Sequence, residues 1–292
     1  MSLGSGLGRN ERETLMNTKQ TVTSHEIRQP VKRRIIPTQR LNPAWTFDSF
    51  VVGPPNVMAF NAAQWVAVAR TPPFNPLFIY ANTGLGTTHL LHAIGHHSAM
   101  THGKTAYLTS AESFTNDYIV ALQNRGLAEF RTKLRNQDMF LMDDLQFLAG
   151  KDRMQEEFLH TFDALHNAGK MIVVTANQPP RRITGLSTNL KSRLESGLCI
   201  SIERPDRATR VAILNRRLDD MKETLSSECV LYIATYAGWN VRRLEGALLR
   251  AVSYKKLSGK DLNLASLKHL LNYLRIEDLP ETTSRRFRQK LK

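Results

Sequence analysis

The middle of the chain alternates between short, continuous apolar runs and longer amphipathic stretches. Continuous apolar runs are typical of strands that are buried on both faces, and the amphipathic stretches between them are long enough for helices. The pattern predicts strands at 77–80, 105–109, 139–142, 171–175 and 199–202. It predicts helices at 56–70, 88–101, 111–124, 127–135 and 153–168. Strands separated by helices indicate an α/β fold with a parallel sheet in an αβα sandwich.

After Pro205 the pattern changes to helices alone. Apolar residues recur with helical spacing, and the predicted helices span 206–219, 225–236, 240–257 and 264–274. Helices of this length, placed after an α/β domain, indicate a small α-helical lid domain. We therefore expect two folded domains, at 41–205 and 206–275.

The two ends of the chain lack this periodicity. Residues 1–40 carry eight basic and three acidic side chains and few apolar ones, which predicts a disordered basic arm. Residues 276–292 are read as a basic tail. Order is expected to begin near Leu41, where an extended segment containing Trp45, Phe47 and Phe50 docks its aromatic rings on the first domain.

The first predicted strand runs into a turn of small residues and then into a helix, the layout of a phosphate-binding loop. The expected pattern is G-x-x-x-x-G-K-[ST]. Gly86 and Thr88 match it, but Ala81 replaces the first glycine and Thr87 replaces the lysine. Glycines permit positive φ and close backbone approach. We expect Asn82 to take the left-handed conformation in place of a glycine.

The missing lysine changes what such a loop can do. A threonine donates one neutral hydrogen bond, and charge-assisted bonds are roughly twice as strong as neutral ones. Thr87 therefore predicts weaker triphosphate binding and little transition-state stabilisation. The alternative is a glycine-rich turn without a ligand. The predicted nucleotide-binding residues of the loop are Asn82, Thr83, Gly84, Leu85, Gly86, Thr87, Thr88 and His89.

Two strand ends carry further polar residues. Asp143 and Asp144 end a buried strand, so they reach the carboxyl edge of the sheet, where ligands bind. One carboxylate suits the shell of a Mg²⁺ ion, with Thr88 as the hydroxyl ligand, and its neighbour suits the orientation of water. Asn177 follows the next strand and is placed to reach a phosphate or the attacking water. A strand-end Asp pair without a loop would be only a cap.

Two arginines extend the candidate site. Arg193 precedes the last strand and is placed to reach a neighbouring subunit's nucleotide in trans. Arg242 lies in the first turn of a lid helix and is placed to fold over the phosphates. Taken singly, each of them, like Asn177, is better explained as a solvated side chain, but the order and spacing of the three along the chain support a nucleotide site.

Two other residue types have simpler interpretations. His89, His92, His96 and His97 follow the loop at helical spacing, but no cysteine or carboxylate nearby completes a zinc site. Packing or capping is the expected role of these histidines. Cys199 and Cys229 lie in apolar stretches and are interpreted as small core residues of a reducing compartment rather than a disulfide.

The formal net charge is +14 over 292 residues. A strong positive charge favours polyanionic partners, in particular nucleic acid, although a solvated arm that aids solubility would explain part of it. The sequence contains no apolar run long enough to span a membrane and no secretory signal. We expect a cytoplasmic protein.

Beyond these general signals, long runs of the chain resemble one family, the bacterial replication initiators of the DnaA type, over about residues 41–275. The resemblance rests on the runs at 41–53, 75–80, 84–96, 143–151, 155–162 and 240–248. It implies an AAA+ fold with a P-loop, ATP or ADP and Mg²⁺ as cofactors, and a role in the initiation of DNA replication. Such initiators assemble into filaments and hold single-stranded origin DNA.

The resemblance also implies residue roles. Asp143 and Asp144 are the Walker B pair, Asn177 is the sensor-1 position, Arg193 is the arginine finger and Arg242 is the lid sensor. Ile119 and Arg153 occupy positions that contact single-stranded DNA, and 110–135 is the two-helix insertion that steers the filament.

Two departures from the family leave rival functions open. Thr87 replaces the loop lysine, so hydrolysis is expected to be weak or lost. The duplex-reading helix-turn-helix domain and the helicase-contacting domain are missing, and we expect a truncated paralogue or a fragment. The rivals to a filament-forming initiator are a short homologue that regulates another initiator's ATP hydrolysis through Arg193, and an adaptor that binds no nucleotide. A further DnaA molecule or the replicative helicase is the expected protein partner.

Overall fold

The computed structural model describes residues 41–238 and 240–277, with side chains up to 272. The predicted arm at 1–40 and most of the predicted tail at 276–292 lie outside the described residues. The strands are β1 (Leu77–Tyr80), β2 (Ala106–Ser110), β3 (Met139–Asp143), β4 (Met171–Ala176) and β5 (Leu198–Ser201). The helices are α1 (Val57–Val68), α2 (Thr87–His102), α3 (Ala111–Gln123), α4 (Leu127–Arg135), α5 (Asp152–Asn167), α6 (Thr188–Glu195), α7 (Arg207–Met221), α8 (Ser227–Tyr236), α9 (Val241–Ser258) and α10 (Leu264–Glu277).

The five strands form one parallel sheet in the order β2-β3-β4-β1-β5. Successive residues of a strand point to opposite faces, so each strand contributes to two cores. Phe78 faces a core built with α3, α4, α5 and α6, whereas Leu77 and Ile79 face a core built with α1 and α2. The αβα sandwich expected from the apolar runs is therefore confirmed.

Three apolar residues of α5 form the stripe of helical spacing that the sequence contains. Phe158, Phe162 and Leu165 recur at i, i+4 and i+7, and each is only 1% exposed. They pack under the sheet in the same core as Phe140. The stripe seen in the sequence is therefore the buried face of α5.

Helices α7 to α10 pack around an apolar core of their own. Each of the four follows a residue whose side chain accepts a hydrogen bond from the first turn, namely Asp206, Ser226, Asn240 and Asn263. Such N-caps stabilise a helix by about 1 kcal/mol. The described helices confirm the expected helical lid, while the boundary at 205/206 stays a prediction.

The structure differs from the sequence-based expectation at two places. Helix α6 was not predicted, because only Leu190 and Leu194 are buried in an otherwise polar stretch. Residues 41–56, which we call the linker segment, consist of turns and bends rather than an extended strand. The linker segment does dock on the α/β part, and Phe47 is only 8% exposed in the core that α1 and α2 share.

Candidate functional site

The loop between β1 and α2 has the geometry of a phosphate cradle. β1 has neighbours on both sides, so the loop leaves the carboxyl edge near the middle of the sheet. Gly84 and Gly86 have φ angles of +85° and +102°, which glycine adopts without strain. Gly86 caps α2, and no side chain in the described part of the chain caps that end. The first-turn N–H groups of α2 are thus available to an anion.

The expectation for Asn82 was wrong. Positive φ angles in this loop occur at Gly84 and Gly86 and not at Asn82. Two glycines already supply the tight turn, so a third left-handed residue is not needed. Asn82 and Thr83 are exposed at the tip of the loop, whereas Leu85 is 5% exposed and packs into the core.

The lid helix α9 begins directly against this loop. The Val241 N–H donates to the Gly84 carbonyl at 3.0 Å, and the Asn240 side chain donates to the Thr83 carbonyl at 3.0 Å. The other end of the Asn240 amide accepts from the Arg243 N–H at 3.1 Å and caps α9. A Cβ atom at Gly84 would lie 2.8 Å from that amide oxygen. The loop therefore has room only for glycine at position 84.

Asp143 and Thr88 come together as the sequence predicted. Asp143 ends β3, and one oxygen of its carboxylate accepts from the Thr88 hydroxyl at 2.7 Å. Its other oxygen accepts from the Thr175 hydroxyl. Burial raises the pKa of Asp143, and the bonds from the two hydroxyls act against that rise. A carboxylate and a hydroxyl at the mouth of a phosphate loop are the oxygen donors that Mg²⁺ takes.

Asp144 is held by residues that the sequence did not single out. Its backbone is left-handed (φ +57°), and its N–H donates to the Thr175 hydroxyl at 3.2 Å. The Gln146 amide donates to the Asp144 carboxylate at 2.9 Å and accepts from the Asn177 N–H at 3.2 Å. Asn177 lies at the end of β4 beside the pair, but with an exposed side chain. Thr175 carried a signal, since it is a buried polar residue at the end of a predicted strand.

The two predicted arginines lie in different places. Arg242 is exposed in the first turn of α9, next to the phosphate loop. Arg193 lies in the last turn of α6, and its guanidinium pairs with Asp163 of α5 at 3.1 Å. Both partners of that pair are at the surface, with side chains 56% and 38% exposed. Arg193 is therefore outside the loop's own pocket, at an edge that another molecule can reach.

The predicted DNA-contacting residues are both at the surface. Ile119 of α3 is 42% exposed and adjoins Val120, which is 54% exposed. Arg153 is exposed in the first turn of α5. Arg131 of α4 bonds Glu157 of α5 through two nitrogens at 2.9 and 2.6 Å. The pair joins α4 to the helix that carries Arg153.

A cleft beside the loop completes the site. Its walls come from the linker segment, the loop, the first turn of α2, the residues that follow β5, and helices α7 and α9, and they are mainly apolar. They include Phe50, Val51, Leu85, His89, Ile213, Arg217, Val241 and Glu245. Arg217 and Glu245 are paired across the cleft at 2.7 Å. A mostly apolar cleft with a few polar groups, next to a phosphate cradle, suits a nucleoside.

Four features together define an AAA+ P-loop fold: a parallel sheet between two helical layers, a phosphate loop after the inner strand β1, carboxylates at the end of β3, and a helical lid that contacts the loop. Residues 41–201 match the family model of the bacterial DnaA ATPase domain. The chain belongs to that family.

Solved structures agree with this assignment. Domain III of the Thermotoga maritima replication initiation protein DnaA is 38% identical, with a TM-score of 0.77 over 80% of this chain and 98% of that one. AMPPCP-bound DnaA from Aquifex aeolicus is 34% identical, with a TM-score of 0.69 over 76% of this chain and 67% of that one. A DnaA bound to AMPPCP and single-stranded DNA is 32% identical, with a TM-score of 0.70 over 81% and 70%.

Within the described residues, no helix combines the length and the apolar character needed to cross a membrane. The histidines after the loop contact the linker segment instead of forming a cluster with other metal-ligating residues. Cys199 and Cys229 are both free, as the sequence predicted; Cys229 is buried and Cys199 is half-buried.

Proposed function

We propose that this chain binds ATP or ADP with Mg²⁺ beside its phosphate loop and acts as a DnaA-family AAA+ subunit in the initiation of DNA replication. The observation that carries the proposal is the uncapped N-terminus of α2 next to the Thr88–Asp143 bond. Backbone N–H groups and a helix dipole bind phosphate without a lysine. Thr88 and Asp143 would hold Mg²⁺, which would neutralise part of the phosphate charge.

Thr87 sets the strength of this binding. A neutral hydroxyl replaces an ammonium, so the chain loses one charge-assisted bond to the phosphates. Binding is therefore weaker than in a loop with lysine, and hydrolysis is slow or absent. Asp144 and Asn177 would orient water at the phosphate, with Arg242 reaching over from the lid.

Calorimetric titration with Mg-ADP tests nucleotide binding. Saturable uptake supports the proposal, and its absence at millimolar nucleotide overturns it in favour of an adaptor without a ligand. Thr87→Lys should tighten binding about tenfold, because bonds to charged groups contribute roughly 1 to 2 kcal/mol more than neutral ones. Thr87→Gln is the matched control, since it adds length without charge and should leave the affinity within about threefold.

We assign single-stranded DNA contact and filament assembly to the surface that carries Ile119 and Arg153. Both side chains are exposed, and the net charge of +14 favours a polyanion. A basic side chain suits contact with a backbone phosphate, and an apolar one suits contact with a base. An initiator of this family has been solved with single-stranded DNA bound.

Fluorescence anisotropy with a labelled oligonucleotide at several salt concentrations tests this surface. Arg153→Gln should weaken binding and lower the slope of log affinity against log salt by about 0.7, the loss of one phosphate contact on a single strand. Arg70→Gln is the control, because it removes an equal charge at the end of α1, on the other face of the sheet. Equal effects of the two variants would contradict the assignment.

A second function is favoured by one observation. Arg193 is exposed and pairs only with the surface carboxylate of Asp163 among the described residues, so it is available to the nucleotide of another DnaA molecule. In that case the chain regulates the other molecule's ATP hydrolysis. Mixing with a full-length initiator should then raise ATP turnover, and Arg193→Ala should abolish the increase. If ATP turnover did not change, the regulatory function would be contradicted, and the filament-forming role would be the one that remains.

A further inference from the structure

The linker segment is bound to α2 by three histidines, all of which follow the phosphate loop. His89, His92 and His96 recur at spacings of three and four residues, so they lie on one face of the helix. Each of them makes a hydrogen bond to the linker segment. The histidines whose spacing resembles a metal site thus bind the linker segment. We call these three residues the histidine seat.

Two of these histidines bind the backbone of the same residue. The Asn42 N–H donates to His92 Nδ1 at 3.0 Å, and His96 Nε2 bonds the Asn42 carbonyl at 2.8 Å. A carbonyl only accepts, so His96 Nε2 carries the proton. His92 Nδ1 must be unprotonated to accept. The segment is therefore fixed at both main-chain polar groups of one residue, Asn42, and neither bond depends on the side chain at that position.

Further contacts make this seat specific. His89 Nε2 donates to the Thr46 carbonyl at 2.8 Å. The Trp45 ring meets the His92 ring edge-on, with centroids 4.8 Å apart. Leu41 packs over Gly95, where a Cβ atom would lie 2.8 Å from the leucine side chain. Residues 41–46 are thus located by hydrogen bonds, ring contacts and a close helix approach together.

The other half of the linker segment forms a wall of the cleft. Ser49, Phe50 and Val51 line it, and a Cβ atom at Gly86 would lie 3.0 Å from the Phe50 ring. At Gly53 a Cβ atom would lie 2.2 Å from the Thr209 hydroxyl on α7. The linker segment therefore touches both the phosphate loop and the lid, within a few residues of the histidine seat.

We infer that His92 and His96 are positioning residues for nucleotide binding, because they fix the linker segment that forms one wall of the cleft. This inference rests on the proposed function, since it assigns the cleft to a nucleoside. Neither side chain needs to touch the ligand. Loss of the two bonds to Asn42 frees residues 41–46, and the wall formed by Phe50 then loses its fixed position.

The test compares variants of the full chain. His92→Leu combined with His96→Leu removes both bonds. His92→Asn combined with His96→Gln restores an acceptor near Nδ1 and a donor near Nε2. His102→Leu is the matched control, since His102 bonds the Val68 carbonyl of α1 at 2.7 Å and does not contact the linker segment. Calorimetry with Mg-ADP and hydrogen exchange of residues 41–50 are the two measurements.

The leucine pair should lower Mg-ADP affinity about tenfold or more and speed exchange at 41–50. The Asn/Gln pair should restore both to near the wild-type values, and His102→Leu should change neither. If the leucine pair does not fold, Trp45→Ala removes the ring contacts from the linker side and should lower affinity severalfold.

The outcomes separate this inference from the proposed function. Faster exchange at 41–50 with unchanged Mg-ADP affinity would overturn the inference alone. Equal losses of affinity in the leucine pair and His102→Leu would also overturn it, because the effect would then reflect α2 in general. A wild-type protein that takes up no Mg-ADP would overturn both.

Discussion

The two sides of the candidate nucleotide site, the carboxylates at the end of β3 and the loop between β1 and α2, are built in different ways. On the acidic side, both carboxylates accept hydrogen bonds from side chains: Asp143 from the Thr88 and Thr175 hydroxyls, and Asp144 from the Gln146 amide. On the loop side the contacts come from the main chain, through N–H groups, glycines and the carbonyls that face the lid. The comparison teaches that the carboxylate side and the backbone cradle are both present, and that the loop departs from the expected pattern at Ala81 and Thr87.

The largest effect is expected when the acidic side is broken. Asp143→Asn removes a charge and places an amide against the Thr88 and Thr175 hydroxyls. We expect the gain in ADP affinity that Mg²⁺ provides to fall about 100-fold, since two bonds to a charged group contribute roughly 3 kcal/mol. Titration with ADP in the presence of Mg²⁺ and of EDTA measures it. An Mg²⁺ effect that survives would place the metal elsewhere.

The second largest effect is expected from a substitution in the phosphate loop. Gly84→Ala puts a Cβ atom 2.8 Å from Asn240 at a residue with φ +85°, and strain of this kind costs about 1 to 3 kcal/mol. We expect lower thermal stability and weaker Mg-ADP binding. Gly246→Ala is the control, because nothing lies within 4 Å of a Cβ atom there and helix α9 accepts alanine. Similar losses in both variants would contradict a role for the lid contact.

A third prediction concerns the pH dependence of the free energy of unfolding, to which His92 and Asp143 contribute with opposite signs. Burial, together with smaller effects of the neighbouring His96 and His89, lowers the pKa of His92 to about 4. The unfolded chain binds this proton at its ordinary pKa, so acidification from pH 7.5 to 5 destabilises the fold. Burial raises the pKa of Asp143, so the folded state takes up that proton first, which opposes the loss. The His92 part of this loss should be about 2 kcal/mol.

Urea unfolding at several pH values measures this dependence. His92→Asn should flatten the curve below pH 6.5, since it removes the group whose protonation favours the unfolded chain. Asp143→Asn should make the curve steeper, since it removes the opposing term. If both variants had the same slope as the wild type, the dependence would come from other groups.

The smallest effect is expected from a substitution beside the carboxylates. Gln146→Leu removes the amide that bridges the Asp144 carboxylate and the Asn177 N–H. We expect a loss of about 1 kcal/mol in unfolding free energy, the usual contribution of such bonds. Gln146→Glu is the comparison variant, because it keeps the acceptor for Asn177 but sets a second carboxylate against Asp144. It should be at least as destabilising at neutral pH and milder under acid conditions.

The strands and the ends of the strands could be predicted from the sequence, because a strand buried on both faces leaves a continuous apolar run. The sequence also predicts that Asp143 and Thr88 lie close together, because parallel strands bring their carboxyl ends to one edge of the sheet. Helix α6 was missed, since two leucines in eight residues give no clear stripe. Strand order was not predictable, because pairing between strands leaves no trace in an apolar run.

Neutral residues explain most of what was missed in the site. Thr175 and Gln146 carry no charge, and their importance depends on which strands are neighbours. The pairing of Arg193 with Asp163 joins two helices distant in sequence. The histidines gave a clear periodic signal, but their partners are backbone atoms of residues 41–46, and backbone partners cannot be identified from residue types.

The two hydrogen bonds between the start of α9 and the carbonyls of Thr83 and Gly84 have a consequence for how this molecule can be altered. Main-chain acceptors are the same whatever side chain follows them, so an exchange at position 87 changes the chemistry of the loop and leaves the lid where it is. A protein engineer can therefore vary that one position across the amino acids and attribute each change in affinity to the new side chain itself.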